Sequence, residues 1–170
     1  TTHISLGRRL NPRISSIGST DGIQIEKSIG KFTIGAIAGF RPDYINFGFD
    51  PKLLQYGGYV SFDTKAAGNY TETSMAFMQQ TNNSKTDRRF LYFQHSNTFL
   101  KNINFLSTFE VDLYKLENYL PKSTFNLTGA YMSLSYKMTK RFTISGSYDA
   151  RKNVMYYETY KTFIDHLLET

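Results

Sequence analysis

Through most of the chain apolar side chains recur at every second position, a period that builds half-buried strands and leaves no room for long helices. Phe32 to Phe40 sets Phe32, Ile34, Ala36, Ala38 and Phe40 against Thr33, Gly35, Ile37 and Gly39. Leu54 to Phe62, Phe105 to Leu113, Ala130 to Tyr136 and Phe142 to Ala150 repeat the pattern. Gly22 to Ile29, Tyr70 to Gln79 and Arg88 to Phe99 show it less cleanly, and His3 to Arg9 makes a ninth predicted strand. Nothing approaches the roughly 18 apolar residues that a helical membrane span needs. The best run, Ala36 to Phe40, ends at Arg41.

The connections alternate in length. Gly30-Lys31, Lys65 to Asn69, Leu100 to Ile103 and Thr139-Lys140 read as short, whereas Leu10 to Asp21, Arg41 to Lys52, Gln80 to Asp87 and Leu116 to Ser123 read as long and hold all 4 prolines. Successive connections of an antiparallel meander fall at opposite ends, so one end is predicted tight and the other elaborate. With strands of roughly 9 to 12 residues, this predicts an all-β, antiparallel up-and-down meander forming a transmembrane β-barrel, or part of one, with about 8 to 10 strands.

Composition supports that expectation. The chain is 16% aromatic, yet its mean hydropathy is only -0.41, so it carries rings without aliphatic bulk. Phe40, Tyr56, Phe99, Phe105, Tyr136 and Phe142 fall near strand ends, where girdles of rings rest at the lipid headgroups. A solvated sheet would carry many Lys, Glu and Arg on its polar face; here that face is mostly Gly, Ser and Thr. The alternative is a soluble β-barrel or sandwich that binds an apolar ligand or a protein partner.

Gly7-Arg8-Arg9, Arg13, Gly18 and Asp21-Gly22 resemble the GRQ…R…G…DG pattern of porin-like barrels of the alginate-export type, with Arg9 where that family has Gln. The resemblance covers about 20 residues. It implies a strand, an inward-bending loop and a second strand in a transmembrane pore, with Arg8, Arg9 or Arg13 in the lumen.

Catalysis finds no candidate set. There is no cysteine, and no GxSxG, phosphate-binding loop or GxGxxG. His3, His95 and His166 lack ligand-spaced neighbours, so no metal or other cofactor is expected. Charged and hydroxyl groups on the predicted polar faces, namely Arg9, Glu26, Tyr59, Asp63, Glu72, Glu110, Asp112 and Asp149, are candidate lumen-lining residues. Acids there, paired with Arg9 or Arg89, would set a transverse field or fill the interior as a salt-bridge ladder. Ile34, Val60, Val111 and Ile144 are candidate lipid-facing residues. The net charge of +6 is scattered over turns, not drawn into the continuous stripe that nucleic acid requires. Lys85, Arg88, Arg89, Arg151 and Lys152 are instead candidate contacts for lipid phosphates.

The expected protein is therefore an outer-membrane barrel without enzymatic activity, either a porin-like passage for small solutes or a structural element. Its expected partners are membrane lipid and other membrane-complex subunits, without nucleic acid or metal. Residues 1–170 read as one barrel domain, a section of a larger barrel. Val154 to Tyr160 is a candidate tenth strand, followed by a helix-like stretch at 163–169.

Overall fold

The computed structural model describes residues 1–43, 47–66, 69–98, 102–117 and 120–159. They form nine strands: β1 (Thr2–Leu10), β2 (Ser19–Ile29), β3 (Phe32–Phe40), β4 (Leu53–Ala66), β5 (Asn69–Asn82), β6 (Lys85–Asn97), β7 (Ile103–Glu117), β8 (Leu120–Lys137) and β9 (Thr143–Arg151). All nine lie in one antiparallel sheet in sequence order, β1 through β9. A 3-10 turn at Ser15–Ile17 and a helical turn at 157–159 are the helical pieces among the described residues. The expected all-β meander is present. Its ends do not meet: β1 pairs only with β2 and β9 only with β8 among the described residues.

The register aligns the alternation of every strand. One row runs Ile34, Val60, Met75, Phe93, Phe109, Ala130, Ala150 from β3 to β9. Another runs Ile4, Ile25, Ala36, Gly58, Phe77, Leu91, Val111, Leu127 from β1 to β8. The rows between them are polar or small: Glu26, Gly35, Tyr59, Ala76, Tyr92, Glu110, Gly129, Arg151, and beside it Ser28, Thr33, Ser61, Ser74, Gln94, Thr108, Tyr131, Asp149. A slip of one residue anywhere would exchange the two faces, so the pattern itself pins the register.

The apolar face is the bare one. Ile34 is 55% exposed and Ile144 52%, while Ser61 and Ser74 on the opposite face are 0% exposed. Burial on the polar face comes from a small cluster of Ile14, Ile17, Ile37, Tyr59, Ala76, Met78, Phe90 and Tyr92. Close packing there uses glycine: a Cβ on Gly35 would lie 2.3 Å from the Tyr59 ring, its partner across β3 and β4. A one-faced core leaves surface uncovered. The accessible area is 11096 Å², against about 8,600 Å² for a compact monomer of this mass.

Two of the expected long connections are absent. Gln80 to Asp87 closes instead in a tight turn at Asn83 and Ser84, whose φ of 49° and 66° are the left-handed values of a two-residue hairpin turn. Leu116 to Ser123 is largely strand, because β7 runs to Glu117 and β8 begins at Leu120. Pro121 is tolerated there since β9 reaches only as far as Gly129, which leaves that part of β8 a local edge, paired with β7 alone among the described residues. The segments 11–18 and 41–52 do form longer connections at that end. Residues 154–159 are not a strand; the chain leaves the sheet after Arg151 and turns helical at 157. The expected helical stretch at 163–169 lies outside the described residues, as does Phe99.

Candidate functional site

The polar face of the sheet is the candidate site, and two segments lie across it. The first is the connection from β1 to β2. Ile14 and Ile17 are 0% and 3% exposed, so this short stretch packs its isoleucines onto the sheet. Its polar groups then find partners on strands far along the chain. Asn11 Nδ2 donates to Gln24 Oε1 at 3.2 Å, Ser15 Oγ and the Tyr92 hydroxyl are 2.7 Å apart, and Gln94 Nε2 donates to the Pro12 carbonyl at 3.2 Å.

Arg13, carried by that segment, reaches Ser61 Oγ at 2.7 Å and Asp63 Oδ1 at 3.0 Å on β4, and lies 3.4 Å from Glu72 on β5. Arg88 on β6 forms a second cluster. Its guanidinium, 4% exposed, donates to Glu110 Oε2 at 2.7 Å and to Asp112 Oδ1 at 2.8 and 3.0 Å on β7, and lies 4.1 Å over the Phe90 ring. Buried charges hold only when paired and bonded in this way. Between the clusters the Tyr59 hydroxyl donates to Glu26 at 2.5 Å. Near the β2 start, Gln80 donates to Gln55 at 3.2 Å, and Gln55 in turn donates to Thr20.

The second segment is 152–159. Tyr156 lies under the guanidinium groups of Arg41 and Arg88, at 4.7 and 5.8 Å from its ring centre. Tyr157 meets Tyr114 edge-on at 5.6 Å. Asp87 Oδ1 accepts the backbone N–H of Glu158 at 2.8 Å and of Thr159 at 3.0 Å, and Oδ2 accepts the Thr159 hydroxyl at 2.8 Å. Between the two segments and the strands β6 to β8 lies a cavity of about 330 Å³, lined by Ser15, Arg88, Tyr92, Thr108, Glu110, Val154 and Tyr156 among others.

Glu26, Tyr59, Asp63, Glu72, Glu110 and Asp112, singled out from the sequence, sit on this face with partners as described. Asp149 is on it too, bonded to Arg151 Nε at 2.9 Å. Arg9 shares the face at the β1 edge, bonded to Ser5. Of the acids expected to pair with Arg9 or Arg89, Asp63 and Glu72 pair instead with Arg13, and Glu110 and Asp112 with Arg88. Arg89 is on the apolar side, bonded to Gln79 at 2.9 Å. Ile34, Val60, Val111 and Ile144 occupy the apolar face together.

Of the basic residues read as phosphate contacts, Arg88 is enclosed on the polar face by its acids. Arg151 and Lys152 border the cavity, with Lys152 Nζ donating to Asn126 at 3.3 Å. Lys85 is exposed and 3.9 Å from Glu158. Arg8, in the same stretch as Arg9 and Arg13, forms a two-pronged pair with Asp21 at 2.6 Å. Sequence reading passed over Asp87, Tyr156, Gln55 and Gln80. Asp87 and Tyr156 act through partners tens of residues away, and no local spacing marks them.

No metal-binding group of His, Cys, Asp and Glu occurs among the described residues, and no described helix is long and apolar enough to cross a membrane. Comparison with protein-family models, with curated proteins and with solved structures finds no match to this chain.

Proposed function

We propose that this sheet is wall of an outer-membrane β-barrel, with its apolar face against lipid and its polar face toward a lumen, serving porin-like passage of small solutes or a structural role. The observation that carries the reading is the inversion of burial at the centre of the sheet: Ile34, Val60, Met75 and Phe77 stand exposed on one face while Gln55, Ser61, Ser74 and Arg88 are packed against chain on the other. In water such a contiguous apolar surface marks an interaction site or an aggregation hazard. In a bilayer it is the required surface, and a closed sheet would satisfy its backbone without water.

Several details support the same reading. The longest strands exceed what a tilted span needs, and paired rings stand on the apolar face, with Phe32 against Phe62 at 5.2 Å and Phe93 against Phe109 at 6.1 Å. The segment that resembles alginate-export-type porins turns its Arg13 onto the polar face, where a lumen arginine would stand. Arg13 opposite Asp63 and Glu72, and Arg88 opposite Glu110 and Asp112, would then place fixed charges along the passage and sort solutes by charge.

Detergent dependence tests the assignment. The folded protein should be monodisperse only in detergent or lipid and should migrate differently on gels with and without heating. A monodisperse, folded protein in plain buffer would overturn the membrane reading in favour of a soluble all-β domain.

A further inference from the structure

We propose that residues 152–159 are a gate over the 330 Å³ cavity, latched at its far end on Asp87. The proposal rests on the lumen reading and adds to it a moving part. At its near end the segment is tied by one backbone bond, from Lys152 N–H to the Thr128 carbonyl at 2.9 Å. From there 153–156 lie outside any strand or helix, and Val154 and Tyr156 line the cavity. At the far end the Asp87 carboxylate accepts three hydrogen bonds from Glu158 and Thr159, and Asn82 Nδ2 adds a bond to the Thr159 hydroxyl at 3.2 Å.

The contrast with the other segment on the same face decides which one moves. The 11–17 segment is held by Ile14 and Ile17, both buried in the cluster of the sheet. In 152–159 no described residue belongs to that cluster, and Met155 is 53% exposed. The segment is held by polar bonds and ring contacts at its outer half. Regions with few buried apolar contacts open at low free-energy cost, and here three of the described polar bonds of the segment converge on one carboxylate. Asp87 is 1% exposed, so its charge is satisfied by the latched chain; opening rehydrates it. Swinging about 152–153 removes one side of the cavity and uncovers Arg88.

The chain has no cysteine, so introduced thiols report cleanly. In detergent-folded protein, Thr108→Cys places a thiol on the cavity wall for labelling by a water-soluble maleimide. Asp87→Asn in that background should speed labelling about tenfold or more, as expected for losing a bond to a charged group. Thr159→Val, which leaves Asp87 intact, should also speed it. Unchanged rates in a folded variant would overturn the gate, and if one substitution prevents folding the other decides. In vesicles, an Asn82→Cys/Thr159→Cys disulfide should lower solute flux reversibly on reduction. Equal flux with and without the bond would overturn the gate; no flux in either state, with latch-dependent labelling retained, would overturn the passage reading and leave the gate standing.

Discussion

At the residue scale the two faces make opposite demands on the same substitution. Ile34 and Ser145 are both exposed, 55% for the first, so in water an arginine at either would be tolerated alike. Against lipid they separate: Ile34→Arg should cost about 2 to 4 kcal/mol near the midplane, and Ser145→Arg much less. Folding into liposomes measures the difference, and equal cost would count against lipid on the apolar face. The polar face carries its own test. Arg88→Ala strips the cation from Glu110 and Asp112, and removing one partner from a buried pair costs about 3 to 5 kcal/mol. Arg9→Ala, at an exposed edge position, should change stability by less than about 1 kcal/mol. Denaturant unfolding in detergent compares them. None of these pairings was legible from spacing, because Arg13 and its acids are separated by 50 residues or more and Arg88 and Glu110 by 22. Alternation puts these charges on one face; only the register chooses their partners.

The elements were more legible, and the errors have causes. Strand β3 spans the residues that alternation predicts, Phe32–Phe40, because both neighbours enforce one register. Strands β5 to β8 outrun their predicted ends because Asn, Ser, Lys and Pro near 80–87 and 116–123 read as loop, whereas cross-strand pairing continues through them. Between β7 and β8, register shifts after Glu110 and between Asp112 and Tyr114 break the alternation that sequence reading relies on. Alternation gives no sign that the 11–17 segment folds over the polar face, because its hold comes from Ile14 and Ile17 packing on distant strands. Its hold on the sheet is testable: Ile14→Ala, at a site 0% exposed, should cost about 2 to 5 kcal/mol, read by unfolding. A cost below about 1 kcal/mol would mean the segment is not packed as described. In the proposed barrel the end with the longer connections 11–18 and 41–52 faces outward, and the Asn83-Ser84 turn lies at that end, so an epitope placed there should label on intact cells. Labelling only after the outer membrane is broken would reverse the orientation.

For the whole molecule, strand direction constrains closure. In a meander every second strand runs the same way, so β1 and β9 are parallel, and neither is blunted by proline or a bulge. An edge left so is an invitation to pair. Joining these two edges to each other would put one parallel seam in an antiparallel wall. Closure that keeps the wall antiparallel takes an odd number of further strands from outside the described residues, which makes the total even, as single-chain bacterial barrels are. Two copies of this sheet cannot do it by pairing β1 with β1 and β9 with β9, because the second copy would stand inverted relative to the first. Ser5 on β1 and Ser147 on β9 both lie on the polar side, so a Ser5→Cys/Ser147→Cys pair reads the seam directly. The lipid-inserted protein should form no disulfide between them under oxidation. A high-yield crosslink would show that β1 and β9 are neighbours and that nine strands close on themselves.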